Sequence, residues 1–197
     1  MSNVEHIAIL GMTGTGKTYF IRDIIKKAKM NSTKIIILDI EEDYGNLGAI
    51  VLKNYKNISK YKNKQVIRLL TEDYNEDQMQ SHVYDYVFKN VRNALIVIDE
   101  VHNQGGEQSK LDANLKRLIT RGRKRGLKLI VASQRPALVD KTILSNCGTL
   151  VLKKVGWSTD WNLYNSINKE ACELLKSSKN KYSYVILRQG IIWDYNL

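Results

Sequence analysis

An eight-residue segment near the N-terminus has the residue types and spacing of a phosphate-binding loop. The segment 11–18, GMTGTGKT, has the form Gly-x4-Gly-Lys-Thr, follows the apolar run 7–10 and leads into a stretch with helical periodicity. Glycines let backbone N–H groups turn inward around phosphates, and the N-terminus of the following helix adds its positive dipole end. A chance glycine-rich turn is the alternative, but it explains neither the strand before the loop nor the helix after it.

This loop, a Walker A motif, predicts a site for ATP and Mg²⁺. At this spacing Lys17 reaches the outer phosphates, which also makes it a catalytic residue, and the Thr18 hydroxyl ligates Mg²⁺. The predicted nucleotide-binding residues are Gly11, Met12, Thr13, Gly14, Thr15, Gly16, Lys17, Thr18 and Tyr19.

Two adjacent carboxylates follow another apolar run and have the form of a Walker B motif. The run 94–98 ends in Asp99 and Glu100. Ligands of an open parallel sheet bind at the carboxyl ends of its strands, so Asp99 is predicted beside the metal as a second Mg²⁺ ligand, acting through water. Glu100 is predicted to polarise the attacking water as the catalytic base. Taken alone the pair could be ordinary loop acids, whereas the glycine loop favours the catalytic interpretation.

Polar residues lie at both ends of the apolar run 127–133. Gln134 follows the run and is predicted to sense the γ-phosphate or to position the water, with a turn cap before Pro136 as the alternative. Basic residues at the end of a predicted helix precede the run and favour the helix dipole. Three arginines exceed what capping needs, so a guanidinium that reaches a neighbouring subunit's nucleotide, an arginine finger, is predicted. The three stand at alternate positions: Arg121, Arg123 and Arg125.

The framework that positions these residues is an alternation of strands and helices. Buried parallel strands are predicted at residues 7–10, 34–39, 66–69, 95–99, 127–133, 149–153 and 184–187. Helices are predicted at residues 18–29, 75–91, 111–121 and 161–175, with residues 53–64 as a surface excursion. The pattern predicts a single α/β domain over residues 1–197, in which helices cover both faces of a mostly parallel sheet.

Composition narrows the partners and the compartment. A chain of 197 residues with 43% apolar content can bury a core. Its net charge of +11 predicts nucleic acid as the partner class. The alternative is that the lysines only make the protein soluble. Cys147 and Cys172 suggest neither a disulfide framework nor a zinc site, which fits a reducing compartment. The N-terminus lacks an export signal and no apolar run approaches the roughly 20 residues of a spanning helix, so a cytoplasmic location without membrane insertion is predicted.

These motifs resemble those of the FtsK/HerA family of ring-forming, DNA-pumping ATPases. The acidic-tyrosine segment 39–44 resembles the family's segment after the second strand, although the usual Pro-His-Gly is replaced. Four further segments resemble the HerA version of the family, namely residues 122–127, 133–136, 139–141 and 144–147. The resemblance implies a RecA-like P-loop NTPase fold of the ASCE type, with Arg123 as the catalytic finger and Gln134 as the catalytic sensor. Arg121 and Arg125 remain alternatives for the finger.

Two modules of larger family members are missing from this sequence, namely the N-terminal barrel of HerA and the C-terminal winged helix of FtsK. What remains is similar to the genome-packaging ATPases of membrane-containing icosahedral DNA viruses. This resemblance implies an ATP-driven translocase of double-stranded DNA that forms a homo-oligomeric ring, a hexamer or a pentamer. It also implies a viral capsid or membrane vertex protein as a partner, and a location in the host cytoplasm or with the virion. A cellular or plasmid DNA-transfer ATPase is the alternative within the family.

Two functions from other classes fit these motifs less well than a motor does. In a small-molecule kinase the arginines would form a lid over the phosphates, but Glu100 beside Asp99 would activate water, which a kinase must avoid. The other interpretation is a nucleotide switch that binds without useful turnover. Specificity for guanine would need Asn-Lys-x-Asp, and the nearest segment, 168–171, ends in alanine. His102 and the lysines of residues 53–64 are weaker candidates for phosphate or DNA contact, with solvated side chains as the alternative.

Overall fold

The strands of this chain are short, rich in β-branched residues, and mostly buried on both faces. The computed structural model describes residues 5–39, 42–70, 76–101 and 111–197, and only the backbone of residues 76–79. Ile40, Glu41 and His102 therefore lie outside the described residues. The strands are β1 His6–Leu10, β2 Lys34–Asp39, β3 Ile50–Leu52, β4 Val66–Leu70, β5 Ala94–Ile98, β6 Leu127–Ser133, β7 Cys147–Lys153, β8 Tyr184–Arg188 and β9 Ile191–Asn196.

The nine strands form one sheet in the order β3-β4-β2-β5-β6-β1-β7-β8-β9. The first seven in this order pair in parallel, so their carboxyl ends share one edge of the sheet, here called the loop edge. Their amino-terminal ends share the other edge, here called the opposite edge. The predicted α/β fold with a mostly parallel sheet is confirmed.

The parallel direction predicted for residues 184–187 is wrong, because β8 runs antiparallel to β7. The chain leaves β7 at Lys153 and enters β8 at Tyr184, and these two residues pair with each other. The intervening helices thus return the chain to the edge at which β7 ended, so β8 has to run back across the sheet. The chain continues into β9, which pairs antiparallel to β8 and is the outermost strand on that side of the sheet.

Among the described residues, six α-helices cover the two faces of the sheet. They are α1 Lys17–Met30, α2 Glu76–Asn90, α3 Ala113–Arg121, α4 Lys141–Asn146, α5 Ser158–Ile167 and α6 Lys169–Ser177. Alternate strand residues enter two different cores: Ile9 packs with Ile21 of α1, whereas Leu10 belongs to the core that the other helices cover. This alternation is what a strand buried on both faces requires.

Two predicted segments differ in detail from the structure. The helix predicted over residues 161–175 is two helices, because Asn168 between them has an extended backbone and its side chain accepts a hydrogen bond from the Ala171 N–H at 2.9 Å. This is the geometry of a helix N-cap. The excursion 53–64 contains a 3-10 helix, Tyr55–Tyr61, that is anchored by the buried Ile58. Its lysines are exposed, as predicted. In the described part of the chain, no helix has the length and apolar character to span a bilayer.

Candidate functional site

The glycine loop connects the carboxyl end of β1 to the first turn of α1. Gly14 and Gly16 adopt φ angles of 77° and 81°, a left-handed region that favours glycine. Gly16 is the N-cap of α1, and no side chain among the described residues caps this end of the helix. The N–H groups of the first turn are thus left to bind an anion.

Gly11 allows the loop to lie directly against β7. A Cβ atom at Gly11 would fall 2.7 Å from the Cβ atom of Lys153, closer than side chains approach one another. Glycine at this position therefore brings the start of the loop into the sheet, next to a strand that follows it by more than 130 residues in the chain.

The side chain of Lys17 folds back into the loop and is 7% exposed. Its Nζ atom donates to the Met12 carbonyl oxygen at 3.4 Å, and the Thr15 hydroxyl donates to the same oxygen at 2.8 Å. Burial lowers the pKa of Lys17, whereas the nearby carboxylates of Glu100 and Asp99 counteract that effect. The ammonium group is therefore held inside the loop and faces the predicted acidic pair.

Asp99 is oriented by hydrogen bonds to both of its carboxylate oxygens. The Tyr44 hydroxyl donates to Oδ2 at 2.6 Å, and the Glu100 N–H donates to Oδ1 at 2.9 Å. Burial raises the pKa of Asp99, and the hydrogen bond from Tyr44 opposes this increase. A carboxylate fixed in this way has a defined direction toward any ligand at the loop edge.

Glu100 is turned toward Gln134 by an unusual backbone conformation. Its φ angle is 49°, in the left-handed region that non-glycine residues seldom occupy and that often marks functional sites. The Gln134 side-chain amide donates to Glu100 Oε1 at 2.5 Å, and the Gln134 N–H donates to Oε2 at 3.2 Å. The Thr13 hydroxyl of the glycine loop donates to the Gln134 side-chain oxygen. The structure thus brings three predicted residues, Thr13, Glu100 and Gln134, into one hydrogen-bonded chain.

Thr18, the predicted Mg²⁺ ligand, contacts a carboxylate that was not predicted as part of the site. Its hydroxyl donates to Asp43 Oδ2 at 3.4 Å. Asp43 is placed by Asp39, whose carboxylate accepts from the N–H groups of Asp43 at 2.9 Å and Tyr44 at 3.0 Å. Arg68 of β4 donates to the same carboxylate. The end of β2 is therefore tied both to Thr18, through Asp43, and to Asp99, through Tyr44.

An aromatic cleft of about 670 Å³ lies beside the glycine loop, on the α1 side. A Cβ atom at Gly16 would lie 3.6 Å from the Tyr182 ring, so the cleft begins at the loop itself. The Lys153 ammonium lies 5.3 Å from the centroid of the Tyr184 ring, and burial together with Lys17 lowers the pKa of Lys153 to about 8. Residues that line the cleft include Tyr19, Phe20, Lys153, Tyr182, Tyr184 and Asn196.

The arginine cluster lies at the opposite edge, far from the glycine loop of its own chain. Arg123 belongs to the 3-10 helix Gly122–Arg125, which precedes β6, whereas Gln134 follows β6. The seven residues of β6 separate the two edges by about 20 Å, at roughly 3.3 Å per residue. The structure therefore does not bring Arg123 together with the other predicted catalytic residues of the same chain.

A buried histidine fixes the helix that leads into this cluster. His6 Nδ1 accepts from the Leu129 N–H at 3.1 Å, so its Nε2 carries the proton and donates to the Ile119 carbonyl oxygen at 2.8 Å. Burial lowers the pKa of His6 to about 4, so the ring is neutral near pH 7. The end of α3 is thereby held against β1 and β6, directly before the arginines.

The three arginines differ in their surroundings. The Arg125 guanidinium donates to the Lys89 carbonyl oxygen at 3.2 Å and lies 4.5 Å from the centroid of the Phe88 ring, so it fastens the loop to α2. Arg121 and Arg123 are exposed, and no hydrogen bond or ion pair to another described residue holds either guanidinium. Arg121 and Arg123 are thus the members of the cluster that can reach outward.

Comparison with known proteins identifies the family. Residues 3–146 match the family described as "Helicase HerA, central domain". The chain belongs to this family. The predicted resemblance to the FtsK/HerA group is thereby confirmed, and the match includes the glycine loop, the acidic pair and Gln134.

Proteins similar to this HerA-family chain include a phage protein, a viral packaging NTPase and VirB4. Protein P9 of Pseudoalteromonas phage PM2 is 28% identical over 149 residues, which cover 75% of this chain and 66% of the phage protein. The genome packaging NTPase B204 of Sulfolobus turreted icosahedral virus 2, solved with AMP, has a TM-score of 0.82 at 18% identity and covers 100% of this chain and 99% of its own. VirB4 of Thermoanaerobacter pseudethanolicus has a TM-score of 0.75 at 12% identity, with coverages of 95% and 87%. At such identities the two structures show a shared fold.

Several residues of this HerA-family site were missed by reasoning from sequence. Asp43 and Tyr44 lie in the acidic-tyrosine segment that carried part of the resemblance, so that segment was the available signal for them. Tyr182 and Tyr184 reach the glycine loop only because β8 pairs with β7, and no spacing along the chain announces that contact.

Proposed function

We propose that this chain is an ATP-hydrolysing motor that translocates double-stranded DNA, and that its task is viral genome packaging. The observation that carries the proposal is the convergence at one edge of the sheet of Lys17, Glu100 and Gln134. A phosphate-binding loop beside a buried, oriented carboxylate is suited to the attack of water on a terminal phosphate. Membership of the HerA family and the similarity to a viral packaging NTPase support the choice of substrate.

In the proposed reaction each group has a separate task. The loop N–H groups and Lys17 bind the β- and γ-phosphates, and Glu100 accepts a proton from the water whose oxygen forms the new bond to phosphorus. The bond between the γ-phosphorus and the bridging oxygen breaks, which leaves ADP and phosphate. Gln134 orients Glu100 and contacts the same water. These roles match the order of contacts from Thr13 through Gln134 to Glu100.

The oxygen donors at the loop edge fit Mg²⁺. Mg²⁺ in nucleotide sites is held by one or two protein oxygens together with phosphates and waters. Thr18 offers its hydroxyl directly, and the carboxylates of Asp43 and Asp99 lie where they can hold metal-bound water. When bound, the ion neutralises charge that develops on the phosphates.

The aromatic cleft is proposed to hold the adenine base. It begins at Gly16 and Tyr19, directly beside the loop that is proposed to bind the phosphates. Tyr182 is 54% exposed, so its ring offers a stacking surface, and the Asn196 amide at the rim offers a donor and an acceptor. The similar B204 was solved in complex with AMP and with ATP-gammaS, which supports adenine nucleotides as the ligand class.

Removing the Tyr182 ring should weaken ATP binding without changing the binding of inorganic triphosphate. Stacking of a base on an aromatic side chain contributes about 1–3 kcal/mol, so Tyr182→Ala is expected to raise the ATP Kd roughly fivefold to hundredfold. Tyr182→Phe keeps the ring and should bind ATP normally. Calorimetric titration of the three proteins with both ligands measures the difference. Equal losses for ATP and triphosphate would show that the loop, and not a base site, had been disturbed.

The partners proposed for the motor are double-stranded DNA, further copies of the chain in a hexameric or pentameric ring, and a viral capsid or membrane vertex protein. Its place would then be the host cytoplasm or the virion. The net charge of +11 supports contact with a phosphate backbone, and the exposed lysines of residues 53–64 add to it.

The test of this function is the rate of ATP hydrolysis with and without duplex DNA. A translocase is expected to turn over faster when DNA is present, whereas a small-molecule kinase would be indifferent to it. Because the positive charge is spread and no base-reading motif is visible, binding should be insensitive to sequence and should weaken steeply between about 50 and 200 mM salt. Unrelated duplexes titrated at each salt concentration provide the control. Unchanged turnover with every duplex, or a strong preference for one duplex at fixed salt, would contradict a packaging motor.

A further inference from the structure

A small cavity with cationic walls lies at the opposite edge of the sheet, where β2 and β5 begin. Its volume is about 250 Å³, below the roughly 300–1,000 Å³ of cavities that hold drug-sized molecules. Three cations line it: Lys34 at the first position of β2, Lys62 directly after the 3-10 helix of the surface excursion, and Arg92 shortly before β5. The buried Ile58 and Val91 also line it. This cavity, called the basic cavity here, has the size for one small charged group.

No carboxylate balances these three cations within the described part of the chain. Neither Lys34, Lys62 nor Arg92 forms an ion pair with another described residue, and no described Asp or Glu lines the cavity. Burial and the charge of Lys62 lower the pKa of Lys34. The two ammonium groups therefore repel each other, and an anion between them would relieve that repulsion.

Helix capping accounts for part of this arrangement. At the end of α2, Arg92 Nη1 donates to the carbonyl oxygens of Val91 at 2.8 Å and Lys89 at 3.0 Å. After the 3-10 helix, Lys34 Nζ donates to the Lys62 carbonyl oxygen at 3.0 Å. A helix C-terminus carries about half a negative charge, so two such ends balance about one of the three positive charges. The positive charge that remains is available to an anion.

Several donor groups of the cavity also remain available. The Nε and Nη2 atoms of Arg92 make no hydrogen bond to another described residue, and a guanidinium fork can bind two phosphate oxygens at once. A lysine ammonium has three donors, and Lys34 makes one bond of 3.0 Å and one of 3.4 Å to carbonyl oxygens. The hydroxyls of Ser59 and Tyr86, which line the same cavity, each donate to the Lys56 carbonyl oxygen at 3.4 Å. Contacts of this length are weak for O–H donors, so a phosphate oxygen could replace them.

We propose that the basic cavity is a phosphate-binding site, in which Lys34, Lys62 and Arg92 hold one phosphate group. The group is carried either by a nucleic-acid backbone or by a small phosphorylated molecule. The site is separate from the glycine loop, because the six residues of β2 place Lys34 about 17 Å from Asp39, at roughly 3.3 Å per residue. The phosphate site itself does not depend on ATP hydrolysis.

The surroundings of the cavity suit a longer polyanion. The Arg125 guanidinium donates to the same Lys89 carbonyl oxygen as Arg92, so a fourth cation adjoins the cavity on the α2 side. On the other side lie the exposed Lys60 and Lys64 of the surface excursion. A duplex backbone presents phosphates in series, so one can enter the cavity while others contact this surface. This source of the phosphate rests on the proposed function, whereas the site rests on its own geometry.

The first arm of the experiment measures duplex binding by the double variant Lys62→Gln/Arg92→Gln. Loss of two cations from one phosphate is expected to raise the Kd of a fixed duplex about tenfold or more, equally for unrelated sequences. The slope of log Kd against log salt concentration should fall by about 0.9. The matched control is Lys60→Gln/Lys64→Gln, which removes the same two charges from exposed positions outside the cavity and should change Kd by about twofold or less.

Two further variants separate binding from folding. Arg92 caps α2, so its replacement also lowers stability, whereas Lys62 is exposed and its side chain has no ion pair with a described residue. Lys62→Glu alone should therefore keep the thermal unfolding temperature of the parent and still weaken phosphate binding. Arg92→Lys retains the charge and should bind within a few fold of the parent.

The second arm titrates pyrophosphate in the presence of saturating ATP-gammaS, which keeps the glycine loop occupied. A loss of duplex binding alone in Lys62→Gln/Arg92→Gln assigns the site to a nucleic-acid backbone, and a loss of pyrophosphate binding alone assigns it to a small phosphorylated molecule. The proposal is overturned if the parent binds neither ligand, or if the double variant binds both as the parent does. An equal loss in Lys60→Gln/Lys64→Gln overturns it as well, because the effect would then be one of general charge.

Failure of the proposed function has a different signature. If the parent hydrolyses no ATP with any duplex, but the double variant loses phosphate binding, the basic cavity stands and the ATPase proposal falls. If duplex accelerates ATP turnover by the parent, but Lys62→Gln/Arg92→Gln binds both ligands normally, the ATPase proposal stands and the phosphate site falls.

Discussion

Replacement of Glu100 by glutamine is expected to remove nearly all ATP turnover while leaving ATP affinity unchanged. Glutamine has the shape of glutamate and can still hydrogen-bond to Gln134, but it cannot accept a proton from water. A general base contributes about a hundredfold to ten-thousandfold to the rate, so Glu100→Gln should lose at least a hundredfold in kcat. Calorimetric titration with ATP and a phosphate-release assay on the same preparation separate the two effects.

The matched contrast is Lys17→Ala, which should fail at the binding step. The Lys17 ammonium is held inside the loop, so its removal takes away a charge-assisted contact to phosphate and should raise the ATP Kd about tenfold or more. If Glu100→Gln hydrolysed ATP at the parental rate, Gln134 would become the candidate that positions the water. If it bound ATP as weakly as Lys17→Ala does, the substitution would have damaged the loop rather than the chemistry.

Much of the site could be predicted because its functional residues directly adjoin apolar runs that predict strands. The glycine loop stands between a strand and a helix, and Asp99 and Glu100 end an apolar run, so each motif reports its own place in the sheet. The topology of parallel strands then brings their carboxyl ends together. This is why Glu100 and Gln134, which lie far apart in the chain, could both be predicted at the nucleotide site, where Gln134 donates to Glu100.

What could not be predicted depends on pairings between distant segments. The direction of β8 follows from two helices that return the chain to the loop edge, and the break between those helices depends on the single cap at Asn168. The cleft residues Tyr182 and Tyr184 lie beside the glycine loop because β8 starts at the edge to which the helices return the chain. The Arg135 guanidinium lies 4.9 Å from the centroid of the Trp157 ring and 4.0 Å from the buried Asp160, and no spacing along the chain predicts these contacts.

The sequence alone did not determine which arginine of the cluster acts on the nucleotide. In the structure Arg123 is exposed, and its replacement is expected to cause the second large loss of ATP turnover. Arg123→Ala should bind ATP almost normally and hydrolyse it on the order of a thousandfold more slowly, because an arginine finger acts on charge in the transition state. Arg125→Ala is the matched control. The Arg125 guanidinium is engaged with Lys89 and Phe88 of its own chain, so its loss should lower stability and leave turnover per folded subunit largely intact.

Mixing two inactive variants tests whether Arg123 acts between copies. A site in an Arg123→Ala subunit keeps Glu100, and a Glu100→Gln neighbour keeps Arg123, so the interface between them contains both groups. Turnover should therefore return when the two proteins are mixed, although each alone is nearly inert, and it should rise with total protein concentration as mixed oligomers form. No return of activity, with mixed oligomers demonstrated by mass, would mean that Arg123 does not complete a neighbour's site. The same mixture is then made with Arg121→Ala in place of Arg123→Ala. Only the arginine that acts across the interface should give a variant that has nearly lost ATP turnover by itself and regains it in the mixture.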